Sequence, residues 1–217
     1  MKRGAAALTL AAAAICAAAV QAASAAVQAP PAPTTVRPPR SCPGPQYPRE
    51  AIRYELEGIT TLRFKLAPGG GVGEVQVAKS SGWALLDGAA IRTLQACNFP
   101  PGQAARAGGA SLPVQYVWSL DGEHSIRPHL VPGSCPASGR FAGFQAYDNK
   151  PSGSDGVKVR LLVDALGQPR GVKTEGINLP AQTFDALIKY VESCRFGFDP
   201  EIKGQRTDTV YGRVLLR

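Results

Sequence analysis

Ser80-Ser81-Gly82-Trp83-Ala84-Leu85-Leu86-Asp87-Gly88-Ala89-Ala90-Ile91-Arg92-Thr93-Leu94-Gln95-Ala96-Cys97-Asn98-Phe99-Pro100-Pro101 carries the clearest periodicity in the chain. Leu86, Ala90, Leu94 and Cys97 recur at spacings of four, four and three, which places them on one face of a helix. Ser-Ser-Gly ahead of the helix is turn chemistry, and Pro100-Pro101 forbids its continuation. A helix with one apolar face needs something to cover.

The flanks supply a sheet. Upstream, Leu62, Phe64 and Leu66 alternate with Thr61, Arg63 and Lys65, the period-two pattern of a half-buried strand. Pro68-Gly69-Gly70-Gly71 reads as a hairpin loop, since no Gly-Lys-Ser/Thr follows and no helix begins there, and Val75 and Val77 mark the return strand. Farther upstream, Tyr47-Pro48 opens a short helix with Ala51, Ile52 and Leu56 on its apolar side, and Gly58 is its expected stop. Downstream, Leu112, Val114, Tyr116, Trp118 and Leu120 alternate with Pro113, Gln115, Val117 and Ser119 in a third strand. Pro113 cannot donate to a ladder, which points to a sheet edge.

Residues 1–25 read as a signal peptide: Lys2 and Arg3, then an Ala-rich run, then the small-x-small site Ala23-Ser24-Ala25. The competing reading is a retained anchor, because no charge occurs between Arg3 and Arg37. Alanine, which supplies most of that run, is only weakly favourable in lipid. The expected location is therefore the periplasm. Residues 26–41 form a Pro/Ala-rich lead. Removing Lys2 and Arg3 leaves 22 basic against 16 acidic residues, a net charge of +6. That charge is spread out, without the basic blocks and interleaved aromatics of a nucleic-acid binder.

Four cysteines follow the expected cleavage site, and an even number in an exported chain reads as disulfides with three possible connectivities. Ser41-Cys42-Pro43 matches Ser134-Cys135-Pro136, and Cys97-Asn98-Phe99 matches Cys194-Arg195-Phe196. A duplicated unit accounts for both matches and pairs Cys42 with Cys97 and Cys135 with Cys194. The second half repeats the order of parts. Val157, Val159, Leu161 and Val163 alternate, Asp164-Ala165-Leu166-Gly167 makes a hairpin, and Val172 begins the return strand. Phe184, Leu187, Ile188, Val191 and Cys194 line a helix face, and Val210, Gly212, Val214 and Leu216 alternate in a final strand. Phe141, Phe144 and Tyr147 stand where the Tyr-Pro helix would be, in a Gly-rich stretch without a clear match.

Tyr47-Pro48-x-x-Ala51, Gly58, the hairpin with Gly71, Ser80-Ser81-Gly82, Leu86-Asp87-x-Ala89-Ala90 and Phe99-Pro100, in continuous order over residues 43–120, resemble the C-terminal domain of the TonB family. The resemblance implies an α/β (α+β) fold in which a three-stranded antiparallel sheet packs against two helices. It further implies a domain that grips outer-membrane transporters by accepting a short transporter segment as an added strand. This chain departs from the energy-transducing pattern in three ways. Its leader is of cleavable type, its two histidines are His124 and His129 and neither matches the anchor histidine, and its Pro-rich spacer spans about 50 Å at most.

The expectation is two tandem TonB-like domains, 42–121 and a degenerate copy at 134–217, joined by a linker at 122–133. The partner-binding edge is the strand carrying Leu112, Val114, Gln115, Tyr116, Val117, Trp118 and Ser119. Tyr116 and Trp118 point inward by their alternation. The expected partner is an envelope protein of the outer-membrane transporter kind, with no nucleic acid, small-molecule substrate, cofactor or metal. No nucleophile–base pair or His-Glu-x-x-His is present, so an enzyme ranks last. Asp87 and Asp185 fall at helix starts, where a carboxylate serves the helix end. Asp121, Glu123, His124 and His129 read as solvated linker residues rather than a metal site. An energy transducer with a retained anchor and a structural envelope component are the alternative readings.

Overall fold

The computed structural model describes residues 41–122 and 125–217. The expected signal peptide, its cleavage site and the lead as far as Arg40 lie outside the described residues, as do Glu123 and His124. Helix α1 (Arg49–Arg53) begins behind Pro48 and ends well before Gly58, which instead opens strand β1 (Gly58–Leu66). The α1 segment is held by Ala51, Tyr54 and Leu56, all buried, while Ile52 faces outward. Strand β1 buries Leu62, Phe64 and Leu66 as its alternation requires, and pairs antiparallel with β2 (Val72–Lys79). Helix α2 (Ala84–Gln95) presses Leu86, Ala90 and Leu94 onto this sheet. Helix α2 ends at Gln95, before either proline is reached, and Pro101 instead starts a second helix, α3 (Pro101–Ala107), because its fixed φ suits a first turn. Strand β3 (Leu112–Trp118) then pairs with β1, giving the order β2-β1-β3.

Asp87 is not a helix cap. Its carboxylate is buried and accepts hydrogen bonds from the Thr60 hydroxyl at 2.8 Å, the Ser81 amide at 2.9 Å, the Ser81 hydroxyl at 2.9 Å and the Ser80 hydroxyl. It ties the Ser-Ser-Gly turn to β1, so the family-like residues of the opening stretch form one polar brace. Asp185 is exposed on its helix.

After the first sheet come β4 (His129–Leu130), β5 (Phe141–Ala146), β6 (Gly156–Val163), β7 (Pro169–Glu175), α4 (Ala181–Glu192), β8 (Phe196–Gly197) and β9 (Thr209–Leu216). The second large sheet has the order β5-β9-β6-β7, and β4 pairs with β8. It contains the expected hairpin, helix and final strand, plus a fourth strand, β5, where the sequence showed only a Gly-rich stretch. Helix α4 buries Leu187, Tyr190 and Val191; Phe184 stays partly exposed. The linker is not free: the Tyr147 hydroxyl donates to the Pro128 carbonyl, and Ile126 bridges to Arg206.

The two halves share their latches. Cys42 and Cys97 form one disulfide and Cys135 and Cys194 the other, with Cα separations of 4.4 and 4.2 Å. The Ser41 hydroxyl donates to the Asn98 carbonyl and Ser134 to the Arg195 carbonyl. The Phe99 amide donates to the Gly70 carbonyl at 2.8 Å, and Phe196 to Gly167 at 2.9 Å, so each hairpin is pinned to the end of the following helix.

Strand β6 is buried on both faces. Val157, Val159, Leu161 and Val163 join the core beneath α4, while Lys158 and Arg160, also buried, face the first half. There the Lys158 ammonium lies 3.5 Å from the Trp83 ring centroid and donates to the Asn149 carbonyl at 3.0 Å. Arg160 pairs with Glu50 at 3.1 Å and Glu175 at 2.6 Å, its guanidinium 4.7 Å from the Tyr54 ring. Trp83 meets Tyr211 edge to face, with centroids 5.1 Å apart.

Candidate strand-acceptor edge

Strand β3 lies at the border of its sheet. It pairs with β1 in an unbroken register from Gly58 opposite Trp118 to Phe64 opposite Leu112. Among the described residues no strand pairs with its other side. The side chains divide by alternation. Val114, Tyr116 and Trp118 are buried; Gln115 is exposed, and Val117 is 66% exposed. Leu112 is half-buried, and Ser119 lies beyond the strand's end. Of the seven residues expected to form the edge, only Gln115 and Val117 present side chains outward from within the strand.

The backbone divides in the same way. In an antiparallel strand the N–H and C=O of one residue point to the same side, and successive residues alternate. The Leu120 amide donates to the Glu57 carboxylate at 2.7 Å, toward β1. Pro113, which lacks an N–H, sits at the opposite parity, where no donor is missed. Both observations direct the amides of Gln115 and Val117 to the open side, and those of Val114, Tyr116 and Trp118 to β1.

The strand is held rigidly from behind. The Trp118 indole donates to the Thr60 hydroxyl at 3.1 Å, and its ring meets Tyr47 edge to face at 5.3 Å. The Tyr47 hydroxyl donates to the Leu56 carbonyl at 2.5 Å. Burial, assisted by the nearby Glu57 charge, pushes that phenol up to about 12. Burial also raises the Tyr116 hydroxyl, which has no hydrogen-bond partner among the described residues. Tyr116 and Trp118 are thus core residues, as their alternation indicated.

The opposite border is a poor alternative. The β1–β2 register shifts twice, Glu74 adopts φ 47°, and Glu74 and Lys79 are exposed there. Bulges and charges of this kind blunt an edge against pairing. No group of His, Cys, Asp or Glu among the described residues could hold a metal ion, and none of their helices is long and apolar enough to cross a membrane.

The family described as Gram-negative bacterial TonB protein C-terminal matches residues 43–118. Protein TonB2 of Pseudomonas aeruginosa is 38% identical over 77 residues, covering 34% of this chain and 28% of that protein. Protein TonB of Neisseria gonorrhoeae is 39% identical over 59 residues, covering 27% of this chain and 21% of that protein. The chain therefore spans about a quarter of the length of these relatives. No solved structure matches significantly. Residues 43–118 thus match a TonB C-terminal domain in sequence, and they carry a three-stranded antiparallel sheet of order β2-β1-β3.

Proposed function

We propose that this chain is a periplasmic protein-binding module in which β3 accepts an extended segment of an envelope partner, of the outer-membrane transporter class, as a fourth strand. The observation that carries the reading is the open, unbulged border of β3 with the Gln115 and Val117 amides directed away from β1. Main-chain hydrogen bonds would supply most of the affinity, and neighbouring side chains the choice of segment. The family match supports the partner class. The shared latches of the two halves support an internal duplication, with units at 42–121 and 134–217. The reading is therefore a binding module rather than an enzyme.

The test is a proline scan read by photocrosslinking. A photoreactive residue at Val117 in intact cells should give an adduct with an outer-membrane transporter, identified by mass spectrometry. Proline at Gln115 removes an outward donor and leaves the β1–β3 ladder intact, so the adduct should fall at least tenfold with folding unchanged. Proline at Tyr116 removes an inward donor and should damage the fold itself. An adduct that survives proline at Gln115 undiminished rules out pairing along this edge.

A further inference from the structure

The second sheet has the border that the first leaves open, and it is filled. In the order β7-β6-β9-β5, strand β9 stands where β3 stands in β2-β1-β3, and β5 lies on its outer side. The registers correspond: Val114 opposes Leu62 as Val210 opposes Leu161, and Tyr116 opposes Thr60 as Gly212 opposes Val159. The backbone parity corresponds too. The Tyr147 amide donates to the Tyr211 carbonyl, and the Arg217 amide to the Arg140 carbonyl, so Tyr211 and Arg213 face β5 as Gln115 and Val117 face the open side of β3.

The seat for β5 is built into β9. A Cβ at Gly212 would lie 2.3 Å from the Gln145 carbonyl oxygen, 2.7 Å from the Phe144 ring and 3.0 Å from the Ala146 Cα, so its three nearest atoms all belong to β5. A glycine inside a strand permits this close approach of another chain segment. Phe144 covers the space and meets Phe196 edge to face at 5.5 Å. In the first half Tyr116, at the matching register position, fills its own core, so that border is complete without a donor. We propose that β5 is a strand donor carried in cis, which permanently occupies the border of β9 that corresponds to the open border of β3. That the occupied border is an acceptor border rests on the reading of β3 given above; the seating of β5 on β9 does not.

Amide hydrogen exchange on the full chain tests this without a partner. In the wild type, Arg213, which pairs with Gln145 of β5, should exchange at least a hundredfold more slowly than Gln115 and Val117, although all three amides point away from the neighbouring hairpin strand. Equal rates would overturn the proposal. Phe144→Ala should speed exchange at Arg213 while Val210, Gly212 and Val214, which face β6, stay slow. A synthetic peptide of residues 138–148 should then restore protection in trans, and should fail to do so when Gly212→Val is added. A peptide that gives no protection to released β9 contradicts the donor role. Should Phe144→Ala fail to fold, the wild-type contrast decides alone. If β3 yields no crosslink while Arg213 behaves as stated, the proposed function falls and the cis donor stands.

Discussion

Lys158 is a fully buried cation set between the two halves, and its surroundings act on its charge. Burial pushes its ammonium down from 10.5 to about 7, against the pull of Glu175, Asp148 and Asp87 and with the push of Arg213. The Trp83 face and the Asn149 carbonyl favour the charged form. Because the folded value lies below the unfolded one, the unfolded chain binds more protons between about pH 7 and 10.5. This group's contribution to stability is therefore complete above that window and is lost as pH falls through about 7. Urea unfolding should show the full chain gaining a few kcal/mol across the window. Lys158→Met should abolish most of that slope, whereas a merely steric role for the side chain would lower stability evenly at all pH values.

At the scale of elements, the disulfides close loops of 55 and 59 residues between each half's lead and the end of its long helix. Chain entropy assigns about 4 kcal/mol to closing loops of this size. Cys97→Ser should lower the unfolding free energy by about 2–5 kcal/mol, measured by denaturant titration with and without reductant. Wild type under reduction should lose at least as much. The cysteine pairing was legible because short matching contexts repeat around both pairs. The elements of the first half were legible because one face of its sheet is core and the other solvent, so alternation had its usual meaning. Strand β6 broke that rule: Lys158 and Arg160 alternate with valines as solvent-facing residues do, yet the first half buries them. Strand β5 was missed because Gly143 and a register shift interrupt any period of two. The signal that could have found it was Gly212, a glycine in the inward series of a strand. Asp87 was misassigned because a carboxylate in a first helical turn has a local explanation, whereas its partners lie on β1 and the preceding turn.

In the whole molecule, the second sheet uses both faces, one for α4 and one for the α1 and Trp83 side of the first half. That second contact is made of paired charges and cation–aromatic contacts: Glu50 with Arg160 and Lys173, Glu55 with Arg127, and Lys158 over Trp83. Such pairs stabilise little beyond an apolar equivalent, but at Arg160, which is buried, removing a carboxylate partner leaves a buried charge uncompensated. They therefore fix how the halves meet more than they add to stability. The contact lies on the α1 and α2 side of the first half and leaves the outer border of β3 uncovered, while β5 closes the border of β9. The border of the first sheet thus falls at β3, and that of the second falls one strand farther out, at β5. The most direct measurement is residue-resolved hydrogen exchange on the chain, free and in complex with the segment of its crosslinked partner. The Gln115 and Val117 amides should exchange rapidly in the free chain and become protected in the complex, with Val114, Tyr116 and Trp118 slow in both. A stable complex in which Gln115 and Val117 remain unprotected would contradict strand addition at β3.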